Sequence, residues 1–274
     1  MKFRTLLLAS AAVLVAAPAF AGEDITAAFY TPAKGKFLSS TSVETSRVKE
    51  EGIFAKWRRE GWVASEELTY GVTDNLAVFG SITNAFKPEL KTWDRTGTHK
   101  GRLYNNDHNF AYELGAKYNM NYGKVLGQVA LSYQTLDPRS WWGKDMEDDA
   151  YQTNKWEKVI NGEVKLGYAL DCGLTPYTTF AVSDDVTHSA KDKKYSWFLG
   201  AHKMLDNTSW DLGVRYDFNS DRPDSDDKLY LQAEANYFVK ENVTVGVFGD
   251  YYIGGENRKD KDEYSVGLNA KVAF

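Results

Sequence analysis

Tyr264-Ser265-Val266-Gly267-Leu268-Asn269-Ala270-Lys271-Val272-Ala273-Phe274 is the stretch that decides the fold. Every second side chain, namely Tyr264, Val266, Leu268, Ala270, Val272 and Phe274, is apolar. Those between them, Ser265, Gly267, Asn269, Lys271 and Ala273, are polar or small. Alternation sustained over this length predicts a strand with one oily face and one wet face. A strand of a soluble β-sandwich would show the same period, so the rest of the chain has to choose between the two.

Moving back from that stretch, the pattern recurs in pairs joined by tight polar turns. Leu68, Tyr70 and Val72 lead into Thr73-Asp74-Asn75, and Leu76, Val78 and Ile82 continue beyond it. Phe110, Tyr112, Leu114, Ala116 and Tyr118 are answered across 119–123 by Val125, Val129, Leu131 and Tyr133. Ile160 to Leu170 turns at Asp171-Cys172-Gly173 into 174–183; Trp197 to Ala201 turns at 205–208 into Trp210 to Phe218; Leu229 to Val239 turns at 240–242 into Val243 to Ile253. Small polar turns of this kind tie antiparallel strands into hairpins. A Ser/Thr-rich first strand, 36–48, completes a count of about twelve, each apolar run having the length a tilted membrane strand needs.

The connections alternate: short turns on one side, and on the other longer charged loops at 49–60, 87–107, 135–156, 184–194, 219–226 and 254–263. A sandwich gives no reason for that sorting. A membrane barrel does, with short periplasmic turns, longer extracellular loops and an even strand number. Aromatics fall at the strand ends in two rows, Tyr70, Tyr118, Tyr168, Tyr237 and Phe274 below, and Trp62, Trp197, Tyr216, Tyr251 and Tyr264 above. These are the positions of two interfacial girdles. The expected fold is therefore all-β, a transmembrane antiparallel up-and-down β-barrel of about twelve strands. Residues 22–34 have no period and read as a periplasmic lead-in.

The first residues agree with export. Lys2 and Arg4 precede an apolar run from Leu6 to about Ala17, then Ala19-Phe20-Ala21 and Gly22. This is a secretory signal, residues 1–21, with the barrel occupying 22–274; the apolar run is too short for a membrane helix. The formal charge of −5 becomes two units more negative when Lys2 and Arg4 leave. An acidic chain argues against nucleic acid as a partner. The single cysteine, Cys172, forms no internal disulfide and reads as a turn residue.

The terminal stretch resembles the last strand of bacterial outer-membrane β-barrels, in which a final Phe preceded by alternating apolar residues is the assembly signal. On that resemblance Tyr264, Val266, Leu268 and Phe274 address the barrel-assembly machinery, and the protein is a monomer surrounded by outer-membrane lipids and lipopolysaccharide. Thr31-Pro32 through Gly35 to Ser42, with Leu68-Thr69-Tyr70-Gly71-Val72-Thr73-Asp74-Asn75-Leu76, is similar to the opening of transporters of the phenol-degradation-pathway group.

Alternation also predicts what faces the lumen: Glu67, Glu113, Lys117, Glu163, Lys165, Asp211, Arg215, Glu234 and Asp250 as pore-lining residues, with Glu44, His202, Asp217, Lys228 and Lys271 beside them. Acids outnumber bases, which favours small cations or neutral polar solutes. Twelve-stranded channels for oligogalacturonate and sialic acid line their bores with arginine stripes; here Arg215 alone holds such a position, against that substrate class. The expected function is a porin passing small hydrophilic solutes by passive diffusion, with no cofactor and no metal site. The alternative is a non-conducting structural or adhesive barrel, with loop tryptophans Trp93, Trp141 and Trp142 and the charged run Lys144 to Asp149. Enzyme readings fare worse. The outer-membrane phospholipase family places Ser two residues after its His, but Gly101, Phe110, Ala190 and Met204 stand there in this chain. Omptin-like proteases need a second acid pair opposite Asp184-Asp185 and His188, and none is evident.

Overall fold

A computed structural model describes residues 24–51, 55–94, 99–104, 109–136, 157–187, 193–219, 227–255 and 261–274. The strands are β1 Phe37–Glu51, β2 Ala55–Gly71, β3 Leu76–Asp94, β4 His99–Tyr104, β5 Asn109–Tyr122, β6 Val125–Leu136, β7 Glu157–Tyr168, β8 Leu174–Asp185, β9 Lys193–Leu205, β10 Thr208–Asn219, β11 Lys228–Lys240, β12 Val243–Gly255 and β13 Lys261–Ala273. Each wall strand pairs antiparallel with its neighbours, β1 pairs with β13 and β2 with β3, so the sheet closes into a twelve-stranded barrel. Closure leaves no unpaired edge in the wall, which a lipid layer requires.

Side-chain parity follows the sequence pattern. Leu114 is 72% exposed, and Leu131 and Leu268 are 64% exposed, all on the outer surface. Polar neighbours one residue away turn inward. The exposed rings Tyr70, Tyr118, Tyr168 and Tyr237 line the short-turn end, and Trp62, Trp197 and Tyr251 the long-loop end. The β5–β6 turn is tighter than the sequence suggested: β5 runs to Tyr122, leaving a two-residue turn in which Gly123 takes φ +59°. Asp206 opens the β9–β10 turn at φ +47°, a backbone that Asp tolerates better than most residues.

Three expectations change. The first strand is a full member of the wall, longer than 36–48. The regions 49–60 and 87–107, read as loops, are largely strand: β2 begins at Ala55, β3 runs to Asp94, and the short β4 pairs with its far end. In the sequence, charge at positions 56, 58, 59 and 60 interrupts any apolar alternation, so no apolar period announced the start of β2. Finally, 24–33 is not a lead-in outside the barrel; it folds into the bore.

Candidate functional site: the barrel interior

An interior cavity of about 770 Å³ occupies the lumen, bordered by Glu67, Glu113, Lys117, Glu163, Lys165, Asp211, Arg215, Glu234 and Asp250, with Lys271 and the rings of Phe79, Phe198, Phe248 and Tyr177. Each residue reaches it because strand parity turns it inward, from β2, β3, β5 and β7 through β13. The charges are organised into pairs. Lys117 Nζ lies 2.9 Å from Glu67 Oε1 and 4.6 Å above the Phe79 ring. Lys271 Nζ lies 2.9 Å from Glu234 Oε1, which also accepts from Asn236 and Asn269. Arg215 bridges Asp217 and Asp250 at 3.1 and 3.5 Å and covers Tyr230.

Glu113 differs from these. Its hydrogen-bond partners are the neutral Ser132, whose hydroxyl donates to Oε1, and Asn161 Nδ2 at 3.4 Å. Ser183 extends the row by donating to Asn161 Oδ1 at 2.7 Å. Asp211 accepts from Tyr177 Oη at 2.8 Å and lies 3.5 Å from His202 Nδ1. The lining therefore holds an acid excess, with Glu113 facing the cavity as a carboxylate held by neutral groups.

Residues 24–33 cross the bore at the short-turn end. Asp24 Oδ2 meets His202 Nε2 at 2.7 Å, and Thr26 Oγ1 donates to Ser209 Oγ at 2.6 Å. Ile25 is buried against Phe238 and Ala273. Lys165 Nζ donates to the Ala28 carbonyl and Asn119 Nδ2 to that of Phe29, each at 2.9 Å. Phe29 packs edge-on against Tyr177. Near Gly71 the chain comes so close that a Cβ there would sit 2.1 Å from the Ala33 carbonyl oxygen. The segment thus touches strands around much of the ring. Sequence reasoning missed it: nothing local pairs Asp24 with His202, although a buried inward histidine asks for an acid. Burial opposes ionisation of Asp24, yet hydrogen bonds from His202 and Thr26 prevail and hold its carboxyl below its ordinary 3.8.

The terminal stretch lies where the barrel closes. Tyr264, Val266 and Leu268 pair with Arg47, Thr45 and Val43 of β1, and the Phe274 ring stacks on Phe37 at 5.5 Å. His188, Trp141, Trp142 and Lys144 to Asp149 lie outside the described residues, as do the signal residues 1–21; of Trp93 only the backbone is described. Arg47 and Arg58 belong to β1 and β2 above the belt rather than to the cavity lining.

No family model matches the chain, and no curated relative does. Solved structures do match. The chain is similar to the COG4313 outer membrane channel from Pseudomonas putida F1, at 13% identity and TM-score 0.63, over 90% of this chain and 98% of that one. It is similar to the transport unit of the autotransporter AIDA-I from Escherichia coli, at 13% identity and TM-score 0.54, over 88% and 91%. It is also similar to the NanC porin, at 9% identity and TM-score 0.51, over 84% and 98%. The likeness to phenol-degradation-pathway transporters rests on the sequence segments alone. The chain thus has the fold of bacterial outer-membrane channels, porins and autotransporter barrels.

Proposed function

We propose that the protein is an outer-membrane channel for small hydrophilic solutes, with a mild preference for cations or neutral solutes over anions. The observation that carries this reading is the interior cavity, in which six of the nine charged residues predicted to line it are acids and Glu113 has neutral partners. A hydrated, acid-lined enclosure attracts cations and leaves neutral polar solutes unhindered. Export by the signal at 1–21, and assembly through Tyr264, Val266, Leu268 and Phe274, belong to the same proposal, as do lipid and lipopolysaccharide around the apolar belt. We read it as a non-enzyme: His202 is engaged by Asp24 and Asp211 rather than by a serine.

Liposome swelling tests the proposal. Vesicles carrying the purified protein should swell in small neutral sugars and in potassium salts of small anions, and more slowly where the permeant ion is an anion alone. Swelling no faster than in empty vesicles, for every solute, would remove the channel reading. One observation favours the second reading, a non-conducting barrel with a structural or adhesive role. Residues 24–33 lie across the short-turn end, so conduction needs a path beside them or their displacement.

A further inference from the structure

Glu113, Ser132, Asn161 and Ser183 come from four consecutive strands, β5 to β8, and stand in one row along the cavity wall. Asn161 is the register partner of both serines, and Glu113 sits diagonally beside Ser132. The hydrogen bonds within the row all run one way. Ser183 Oγ donates to Asn161 Oδ1 at 2.7 Å, and Asn161 Nδ2 donates to Glu113 Oε1 and Ser132 Oγ, each at 3.4 Å. The Ser132 hydroxyl donates to the same Glu113 Oε1. Both hydroxyl protons are thus engaged along the wall. Glu113 Oε2 accepts from none of the described residues, and the serine oxygens keep lone pairs. Among the described residues no lysine, arginine or histidine pairs with Glu113. Lys117, four residues along the same strand, is held by Glu67 and the Phe79 ring.

What the row offers the lumen is therefore a negative charge and acceptors, its hydroxyl donors being already engaged. That pattern discriminates between solutes. An anion meets like charge. A neutral sugar brings acceptors as well as donors and finds few donors here. A calcium ion wants six or more oxygens, and one carboxylate with one uncommitted oxygen falls short of that. A primary ammonium carries a positive charge and three donors with no acceptor, which is the complement of this row. Beside the row the lining turns apolar. A Cβ on Gly115 would meet the Phe79 ring at 2.5 Å and Ser132 Cβ at 2.6 Å, so the glycine lets that ring approach the row. Ala130 and Ala181, two residues nearer the short-turn end than the two serines, also border the cavity. Glu163 stands between them and meets Lys165 only at 3.6 Å, so negative charge continues beneath the row. An alkyl stem has ring and methyl groups to lie on while its ammonium reaches the carboxylate.

We propose that Glu113, with Ser132, Asn161 and Ser183, forms a subsite for the primary ammonium group of a small alkylamine. This deepens the channel reading and rests on it for the route by which the solute arrives. The test uses n-butylammonium, with 1-butanol as its neutral isostere, and follows the broadening of their proton resonances when the folded barrel is added in deuterated micelles. Butylammonium should broaden saturably and 1-butanol should not. Glu113→Gln keeps the shape of the side chain and removes its charge. It should weaken binding about tenfold or more, the loss expected when a hydrogen bond to a charged group goes. Glu113→Asp, which keeps the charge, should bind more tightly than Glu113→Gln. Heat-modifiability on gels confirms that each variant is folded. Equal binding by wild type and Glu113→Gln, equal broadening of 1-butanol, or displacement of butylammonium by an equal concentration of potassium would each overturn the assignment. The readout does not depend on conduction. A barrel that binds through Glu113 yet passes no current removes the channel reading and leaves the subsite, and one that conducts without Glu113-dependent binding does the reverse.

Discussion

Asp24→Ala unfastens the segment that crosses the bore. The carboxylate holds three hydrogen bonds, to His202 at 2.7 Å and to the Thr26 amide and hydroxyl at 3.0 and 2.5 Å. Those to Thr26 lie within the segment and survive its release, so only the bond to His202 counts. A hydrogen bond to a charged group contributes about 1.5–3 kcal/mol net. The Asp24 side chain is 20% exposed, which argues for the lower part of that range, while truncation strands a histidine only 6% exposed. A loss of about 2 kcal/mol raises the released population roughly thirty-fold. The assay is labelling of Ala28→Cys, in a Cys172→Ser background, by a water-soluble maleimide. The rate should rise by that factor and saturate at the free-thiol rate. A rate no faster than in the parent with Asp24 intact would refute the reasoning, because Asp24 would then not be fastening anything.

Four further outcomes follow from the same geometry. Gly71→Ala drives a Cβ into the Ala33 carbonyl and disturbs the bonds Gly35 N to Gly71 O and Gly71 N to Lys36 O, a cost of about 1–3 kcal/mol; the same labelling should accelerate while the barrel stays folded, and unchanged labelling contradicts the close approach. Because the Asp24 pKa lies below 3.8, its fastening is complete above that pH and is lost as pH falls through the depressed value. Open time in single-channel records should therefore lengthen on acidification below 3.8, and a flat profile there would count against it. Glu113→Gln should shift the reversal potential away from cations more than removing a carboxylate already paired with lysine; Glu113→Gln and Glu234→Gln together should shift it further, and no shift from the pair would exclude these acids from selectivity. Phe274→Ala removes the stacking on Phe37, about 0.5–1.5 kcal/mol, and should reduce the yield of folded barrel in outer membranes; an unchanged yield would deny that residue an assembly role.

The wall was legible because lipid outside and water inside impose period two on every strand, as Tyr264 to Phe274 shows most cleanly. Legibility failed where one of those solvents was absent. Where β2 begins, consecutive charged residues at 58–60 leave no apolar alternation, so strand and loop look alike in sequence. On β1 the outward Ser39 and Thr41 hydrogen-bond the Glu66 carboxylate, so this fully paired strand lacks the apolar alternation of its neighbours. Glu66 itself was visible as an acid sharing parity with Leu68 and Tyr70, but only pairing with Thr41 located it on the outside. The lumen positions of Glu113 or Arg215 followed from parity; which of them meets a counter-charge did not, because Lys117–Glu67 and Lys271–Glu234 are long-range pairs. Residues 24–33 were opaque for the same reason: their partners His202, Ser209, Asn119 and Lys165 are about 90 to 180 positions away, and no local period records a contact made across a lumen.

Single-channel recording in planar bilayers, under a potassium chloride gradient, tests most directly whether this acid-lined interior conducts. For wild type and Asp24→Ala, both shown to be folded, the account predicts discrete current steps, a reversal potential displaced towards the potassium equilibrium value, and a larger open fraction in the variant. Silence from both proteins at every voltage would contradict it.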